Sequence, residues 1–383
     1  GAASRWAAAL EIGGAGAEDL AARARSQRRD GHRTAQRLAE QLARATRAGG
    51  SARAPQADEA DDDTLARLLL AGYADRVAQR RAPGSEQVQL VGGRGARLIG
   101  GDALHGDLLV ALDVDAGRRG EQAVSLVRGW VAVAEGALRD HPDFAVVEVV
   151  RWDEGRGRAV AERLERFRDL VLTRSPVPLT DRAAAEVLLL ERAAKDPEAA
   201  VGTLSTKDEV SLARLMTFAA AYPELALPAS REAWLAAALP ALCSGRSSLD
   251  ELRRAPLGQA LLDLLPWDRR RRLDAALPER LEVPSGSRIA LVYRPDGPPV
   301  LAVKVQEVFG LVDTPRVADG RVACVLHLLS PAGRPLQVTS DLRSFWSRTW
   351  PEVRAEMRSR YPRHHWPEDP TAATPSRRTL KPR

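Results

Sequence analysis

Gln87-Val88-Gln89-Leu90-Val91-Gly92-Gly93-Arg94-Gly95-Ala96-Arg97-Leu98-Ile99 is the stretch whose reading decides the fold of the first half of the chain. Apolar and polar residues alternate on both sides of a glycine-rich break. That period of two predicts strands over 87–91 and 96–99, joined by a hairpin turn at Gly92-Gly93-Arg94-Gly95. Upstream, Asp63-Thr64 reads as a helix cap. Leu65, Leu68, Leu69, Tyr73 and Val77 follow at helical spacing, predicting a helix that runs into Gln79-Arg80-Arg81 and is closed by Pro83-Gly84. Downstream, 108–114, 125–134 and 144–152 read as strands, and 160–172 as strand or helix. Short strands separated by glycine turns behind one helix predict a small β-barrel.

From 179 the period returns to that of helices, expected over 181–194, 209–221, 230–239, 249–265 and 268–277, with Pro223, Pro228, Pro240 and Pro256 at or near their ends. The last region is mixed: strands over 287–294, 300–308, 322–329 and 336–339, then a helix over 341–360. The chain therefore reads as α+β. Five segments are expected: a helical tail with linker at 1–62, the barrel with its leading helix at 63–178, a helical block at 179–282, a mixed α/β domain at 283–370, and a disordered tail at 371–383.

Composition narrows the function. The 383 residues are 44% hydrophobic but 4% aromatic, which predicts aliphatic cores. Two cysteines, Cys243 and Cys324, exclude a disulfide scaffold and a four-cysteine zinc site, and read as core residues. No apolar run approaches the ~20 residues a membrane helix needs, and no leader opens the chain. A cytoplasmic protein without a membrane partner is the expectation. The net charge of +6 is unevenly spread. Residues 1–57 hold ten Arg against five acids, and 343–383 hold ten Lys+Arg against four, so the stretch between is mildly acidic. Basic ends suit phosphate contact through counterion release, or are solvated faces.

No G-x-x-x-x-G-K-[ST], G-x-S-x-G, H-E-x-x-H or C-x-x-C motif occurs. His364-His365 has no third ligand near it in sequence, and Asp113 and Asp115 share a strand face without a further catalytic partner. The positive signals are arginines. Arg76, Arg80 and Arg81 close the leading helix, and Arg94 and Arg97 lie in and just after the hairpin turn. If the strands form an oligonucleotide-binding (OB) barrel, such loops meet phosphates. Arg80, Arg81, Arg94 and Arg97 are therefore the candidate nucleic-acid contacts. Arg354 and Arg358, one helical turn apart and interleaved with Trp346, Trp350 and Trp366, are weaker ones. Those tryptophans either stack bases or pin the terminal helix to its domain.

The final third carries a more specific signal. Val283-Pro284-Ser285-Gly286-Ser287-Arg288 is followed by Pro299-Val300-Leu301-Ala302-Val303-Lys304-Val305-Gln306-Glu307-Val308-Phe309-Gly310-Leu311 and by Asp313-Thr314-Pro315-Arg316. Leu326-His327-Leu328-Leu329-Ser330-Pro331-Ala332-Gly333-Arg334-Pro335 and Arg360-Tyr361-Pro362-Arg363-His364-His365-Trp366-Pro367-Glu368-Asp369-Pro370 complete the run. This run resembles the C-terminal region of HrpB, a family of bacterial DEAH-box ATP-dependent RNA helicases. Tyr73-Ala74-Asp75-Arg76-Val77-Ala78-Gln79-Arg80-Arg81 and Val150-Arg151-Trp152-Asp153 resemble the segments around that family's OB-like fold.

The resemblance spans about 64–370. Residues 1–57 fit more loosely, as the tail of the ratchet-like bundle before that fold. It implies ATP-driven RNA unwinding for the intact protein, with ATP and Mg in two RecA-like motor domains. Neither Walker A nor DEAH motif occurs here, and the chain starts at Gly1 rather than Met. The expectation is a C-terminal piece without catalytic residues or cofactors of its own. Its expected partners are single-stranded RNA and the motor domains. The rival expectation is a protein-interaction scaffold that touches no nucleic acid.

Overall fold

The computed structural model describes residues 18–19, 62–101, 104–115 and 125–377. The expected helical tail and linker at 1–62 therefore lie almost wholly outside the described residues. The exception, Glu18–Asp19, is a two-residue strand parallel to Gly129-Trp130. The chain divides into two compact units: 1–150 with 161–179, and 151–160 with 180–383.

In the first unit helix α1, Asp62–Gly72, precedes five strands: β1 Val77–Arg80, β2 Gln87–Leu90, β3 Gly95–Leu98, β4 Leu108–Asp115 and β5 Ser125–Ala132. Their order is β5-β3-β2-β1-β4, and β4 pairs back onto β5, so the sheet closes on itself. The β3–β5 pair is parallel, the rest antiparallel. Closure leaves no free ladder of N–H and C=O groups at either side. A register shift between Ala111 and Asp113 lets the chain turn the corner. Gly129 lies opposite, where a Cβ would come within 3.3 Å of the Asp113 Cβ. Inside lie Ala78, Val88, Leu90, Leu98, Leu109, Val127 and the fully buried Trp130. A second core covers the outer side of β1 and β4, where Val77 and Val110 meet Leu70 of α1, Leu138, Phe167 and Leu170.

The helix expected to run to Arg81 thus stops at Gly72, and its last residues are the first barrel strand. Residues 160–172, open between helix and strand, are extended. β6 Phe144–Asp153, β7 Arg158–Phe167 and β8 Leu170–Val177 form a three-stranded meander, with Arg168 in left-handed conformation (φ 53°) at the second turn.

The second unit has seven helices in its first half. They are α2 Arg182–Ala193, α3 Pro197–Val201, α4 Thr206–Ala221, α5 Arg231–Cys243, α6 Leu249–Arg253, α7 Leu257–Asp263 and α8 Trp267–Ala276. Side-chain caps start several: Asp181, Asp196, Ser205, Ser230 and Ser248 each accept an N–H in the first turn. The helix expected over 249–265 is broken at Pro256, whereas α5 runs through Pro240 to the buried Leu242 and Cys243. The second half is a five-stranded sheet: β9 Arg280–Glu282, β10 Arg288–Arg294, β11 Gly297–Lys304, β12 Val325–Leu329 and β13 Pro335–Thr339, in chain order across the sheet, with β11 and β12 parallel. Between β11 and β12, Arg316–Val317 and Val322–Ala323 form a separate two-stranded ribbon. The terminal helix begins at Leu342, passes through a π-helical segment Phe345–Thr349, and ends at Arg360.

One apolar core runs from Leu189 of α2 to Trp366, so the expected helical block and mixed domain are a single body. Buried Arg214 of α4 ties α4 to the end of α8. It donates to the Leu277 carbonyl at 2.7 Å, satisfying the end of α8, and to Asp274 at 2.7 Å. Residues 371–377, expected as part of a disordered tail, run along this body. Ser376 N–H donates to the Gln306 carbonyl at 3.0 Å, and Arg377 Nε to the Ser285 carbonyl at 2.9 Å.

Arg214→Leu leaves those acceptors without a donor and should lower the unfolding free energy of the second unit by about 2–4 kcal/mol. Urea titration followed by the emission of the buried Trp234, Trp346 and Trp350 measures it.

Candidate nucleic-acid interface

The six candidate arginines do not share one surface role. Val77 and Ala78 are both fully buried because β1 is covered on its two sides, and Arg80 continues that strand inward. It is 8% exposed. Its guanidinium donates to the Ser85 carbonyl at 2.7 Å and to the Gly101 carbonyl. These contacts hold the β1–β2 loop against the segment after β3. Nε is buried with no partner among the described residues. Arg80 therefore serves its own loops.

Arg81, the next residue, points the other way and is exposed. Its guanidinium lies over Gly95, where a Cβ would come within 3.0 Å of it. Across the hairpin Gln87 pairs with Arg97, and Val88 with Ala96. Val88 and Ala96 face the barrel interior, which leaves Gln87 and Arg97 outside. Arg97 forks onto Glu86 at 2.7 and 2.8 Å, with both side chains more than half exposed, so water screens the pair strongly. Arg81, Ser85, Glu86, Gln87, Gly95 and Arg97 line an open groove of about 650 Å³. The groove thus sits on the β2–β3 face and the β1–β2 loop. Arg94 lies beyond it at the hairpin tip, exposed and without a partner among the described residues. Gly92 and Gly93 make that tip, with φ of 86° and 77°.

On the terminal helix, Arg354 is spent within the domain. It donates to the Trp366 carbonyl at 3.0 Å and to Glu368 at 3.0 Å. Arg358 is exposed. Trp346, Trp350 and Trp366 are buried, pack on Phe309 and Phe345 or on one another, and donate indole N–H to the carbonyls of Leu311, Pro367 and Tyr361. They pin the helix and present no stacking face. Asp113 and Asp115 share an exposed strand face, where Asp115 pairs with Arg128 at 3.6 Å. Burial lowers the His364 pKa, with the Lys304 charge adding to the effect. No group of three or more His, Cys, Asp or Glu among the described residues is placed to hold a metal ion. No described helix is long and apolar enough to cross a membrane.

Sequence reasoning could not separate Arg80 from Arg81, because the strand that turns them apart was masked by a helical spacing. It also passed over Gln87 and Ser85, polar groove residues without a charge to mark them.

The molecule is an α+β protein with a closed five-strand barrel, a meander and a helix-and-sheet unit. Two of its segments match family models of the HrpB helicases. Residues 234–370 match the ATP-dependent helicase C-terminal domain, and 143–177 match the connector region of the ATP-dependent RNA helicase HrpB. The chain is 38% identical over 328 residues to ATP-dependent RNA helicase HrpB of Escherichia coli K12, covering 84% of this chain and 40% of that protein. The crystal structure of E. coli DExH-box NTPase HrpB matches 99% of this chain and 46% of its own, with 35% identity and a TM-score of 0.49. That of Escherichia coli DEAH/RHA helicase HrpB matches 95% and 45%, with 33% identity and a TM-score of 0.43. The chain thus spans less than half the length of these relatives.

Two outcomes follow for single residues. Arg80→Met should cost the barrel about 2–3 kcal/mol, since two loop carbonyls lose their donor, whereas Arg94→Ala should stay within about 0.5 kcal/mol. Native-state hydrogen exchange of the Val77, Val88 and Val110 amides compares them. Burial pushes the Cys243 and Cys324 thiols up to about 11. At pH 8 only about 0.1% of each is thiolate. Neither should react with an aromatic disulfide reagent until the protein is denatured.

Proposed function

We propose that this chain is the accessory C-terminal region of an ATP-dependent RNA helicase, and that its barrel grips single-stranded RNA along the β2–β3 face. The observation that carries the reading is the groove itself. An OB barrel binds oligonucleotides on the face of strands 2 and 3 and the loop between strands 1 and 2. The groove of Arg81, Gln87 and Arg97 occupies that place on a closed five-strand barrel with one parallel pair. Arg81 supplies a free cation for a phosphate, and Arg97 a second once it exchanges Glu86 for the stronger acceptor. Gln87 and Ser85 offer hydrogen bonds to sugar or base. Arg94 at the hairpin tip extends the positive edge.

On this reading ATP and Mg²⁺ are held by RecA-like motor domains of the intact protein. The 383 residues contain no Walker A lysine loop to cradle a triphosphate, so no step of hydrolysis is assigned to them. The ratchet-like role of residues 1–62 belongs to the same proposal. Arg354 drops out as an RNA contact because it clamps the chain after the terminal helix, and Arg80 because it braces two loops.

The test is binding of a labelled single-stranded RNA by anisotropy across a salt series. Arg81→Glu with Arg97→Glu should weaken binding at least about tenfold and flatten the salt dependence. Unchanged affinity would favour the protein-interaction scaffold and sink the barrel grip.

A further inference from the structure

Trp267 opens α8, yet it is 72% exposed, the most exposed large apolar side chain among the described residues. The other described tryptophans are buried or half-buried. Four residues on, Arg271 lays its guanidinium over the indole, 4.8 Å from the ring centroid, as residues one helical turn apart can.

The four consecutive arginines of this helix have different fates. Arg269 donates to the Leu225 carbonyl at 3.2 Å, Arg270 pairs with Asp263 at 3.6 Å, and Arg272 pairs with Glu224 at 3.4 Å while lying over the Tyr222 ring. Arg271 alone of the four is exposed with neither a carboxylate nor a carbonyl partner among the described residues. Its charge is held in place only by the aromatic face beneath it.

The geometry points to a second site for single-stranded nucleic acid on α8, with a base stacked on Trp267 and the neighbouring phosphate on Arg271. An indole in water is costly unless something covers it. Two chemistries make use of an exposed Trp beside a free Arg. A protein partner would bring an apolar patch and needs one in return. Along α8 the exposed residues on either side of Trp267 are Pro266, Asp268 and Arg271, a mixed polar surface, and the large apolar side chain of the next turn, Leu273, is buried. A base needs only one flat face and a nearby cation, because each base has a π-surface and each link carries a negative charge. Asp268 is the one acidic side chain on the first turn of α8, and no ion pair within 4 Å ties it to Arg271.

This site lies wholly within the second unit and does not rest on the barrel reading. The experiment uses the full chain, with the Trp267→Ala chain as the reference for emission from the other tryptophans. It is titrated with a fluorescein-labelled oligouridylate for affinity and with the unlabelled oligomer for tryptophan emission. Binding should quench the exposed emission. Trp267→Ala should abolish the quench and weaken binding about tenfold. Trp267→Tyr, which keeps an aromatic face, should recover most of the affinity. Arg271→Ala should lower the slope of log affinity against log salt by about 1. With the Arg81→Glu and Arg97→Glu changes present, the Trp267 quench should persist, so the two readings fail separately. Unchanged RNA affinity in Trp267→Ala, or a quench that survives in it, overturns the proposal.

Discussion

Pairing of Leu108–Asp115 with Ser125–Ala132 is the constraint on which the barrel depends. Without it, β4 and β5 would each expose a ladder of unpaired backbone groups, and the interior around Trp130 would open to water. The register slips at Ala111–Asp113 opposite Gly129, where the missing Cβ leaves room for the strands to approach closely. Once closed, the sheet dictates which side of each strand is wet. Gln87 and Arg97 are sent outward by the same register that sends Val88 and Ala96 in. The candidate groove is a consequence of the closure.

The second unit depends on a different economy. Its arginines are used mostly as internal donors. Arg214 caps α8, Arg354 holds the chain after the terminal helix, Arg321 and Arg272 lie over Tyr222, and Arg231 forks onto Glu209, whose carboxyl it holds below its usual range. Arginine suits this use because its fork of donors reaches carbonyls and carboxylates while its stem packs against apolar neighbours. An arginine-rich composition is therefore a poor guide to ligand contacts. The informative arginines are those left exposed without such a duty, among them Arg81, Arg94, Arg271 and Arg358.

Much of the fold was legible. The alternation around Gly92-Gly93, the strands at 144–152 and 287–294, and the helices starting near 182 and 231 all lie close to where periodicity put them. Failures came where burial on two sides erases a pattern. Leu69, Tyr73 and Val77 keep helical spacing across the break at Gly72, but Val77 and Ala78 belong to a strand with a core on each side. Pro240 read as a helix end, yet α5 continues because Leu242 and Cys243 are buried beyond it and that packing outweighs one lost hydrogen bond. The parallel pairing of β11 with β12 left no mark at all, since it joins residues brought together by the core between them.

Sequence alone carried the likeness to the HrpB helicases, through the long run from Val283 to Pro370, and the α+β class, through changes of period that local chemistry imposes. It also determined that the positive charge gathers toward the two ends. Only the tertiary structure decided which arginines face outward. Adjacent Arg80 and Arg81 are identical in chemistry, and a pleated strand sends neighbours to opposite faces. One is buried against carbonyls and the other lies open over Gly95. The same holds for Trp267 against Trp350. Their side chains are alike, and the shape of the core decides that one is packed and the other is left in water.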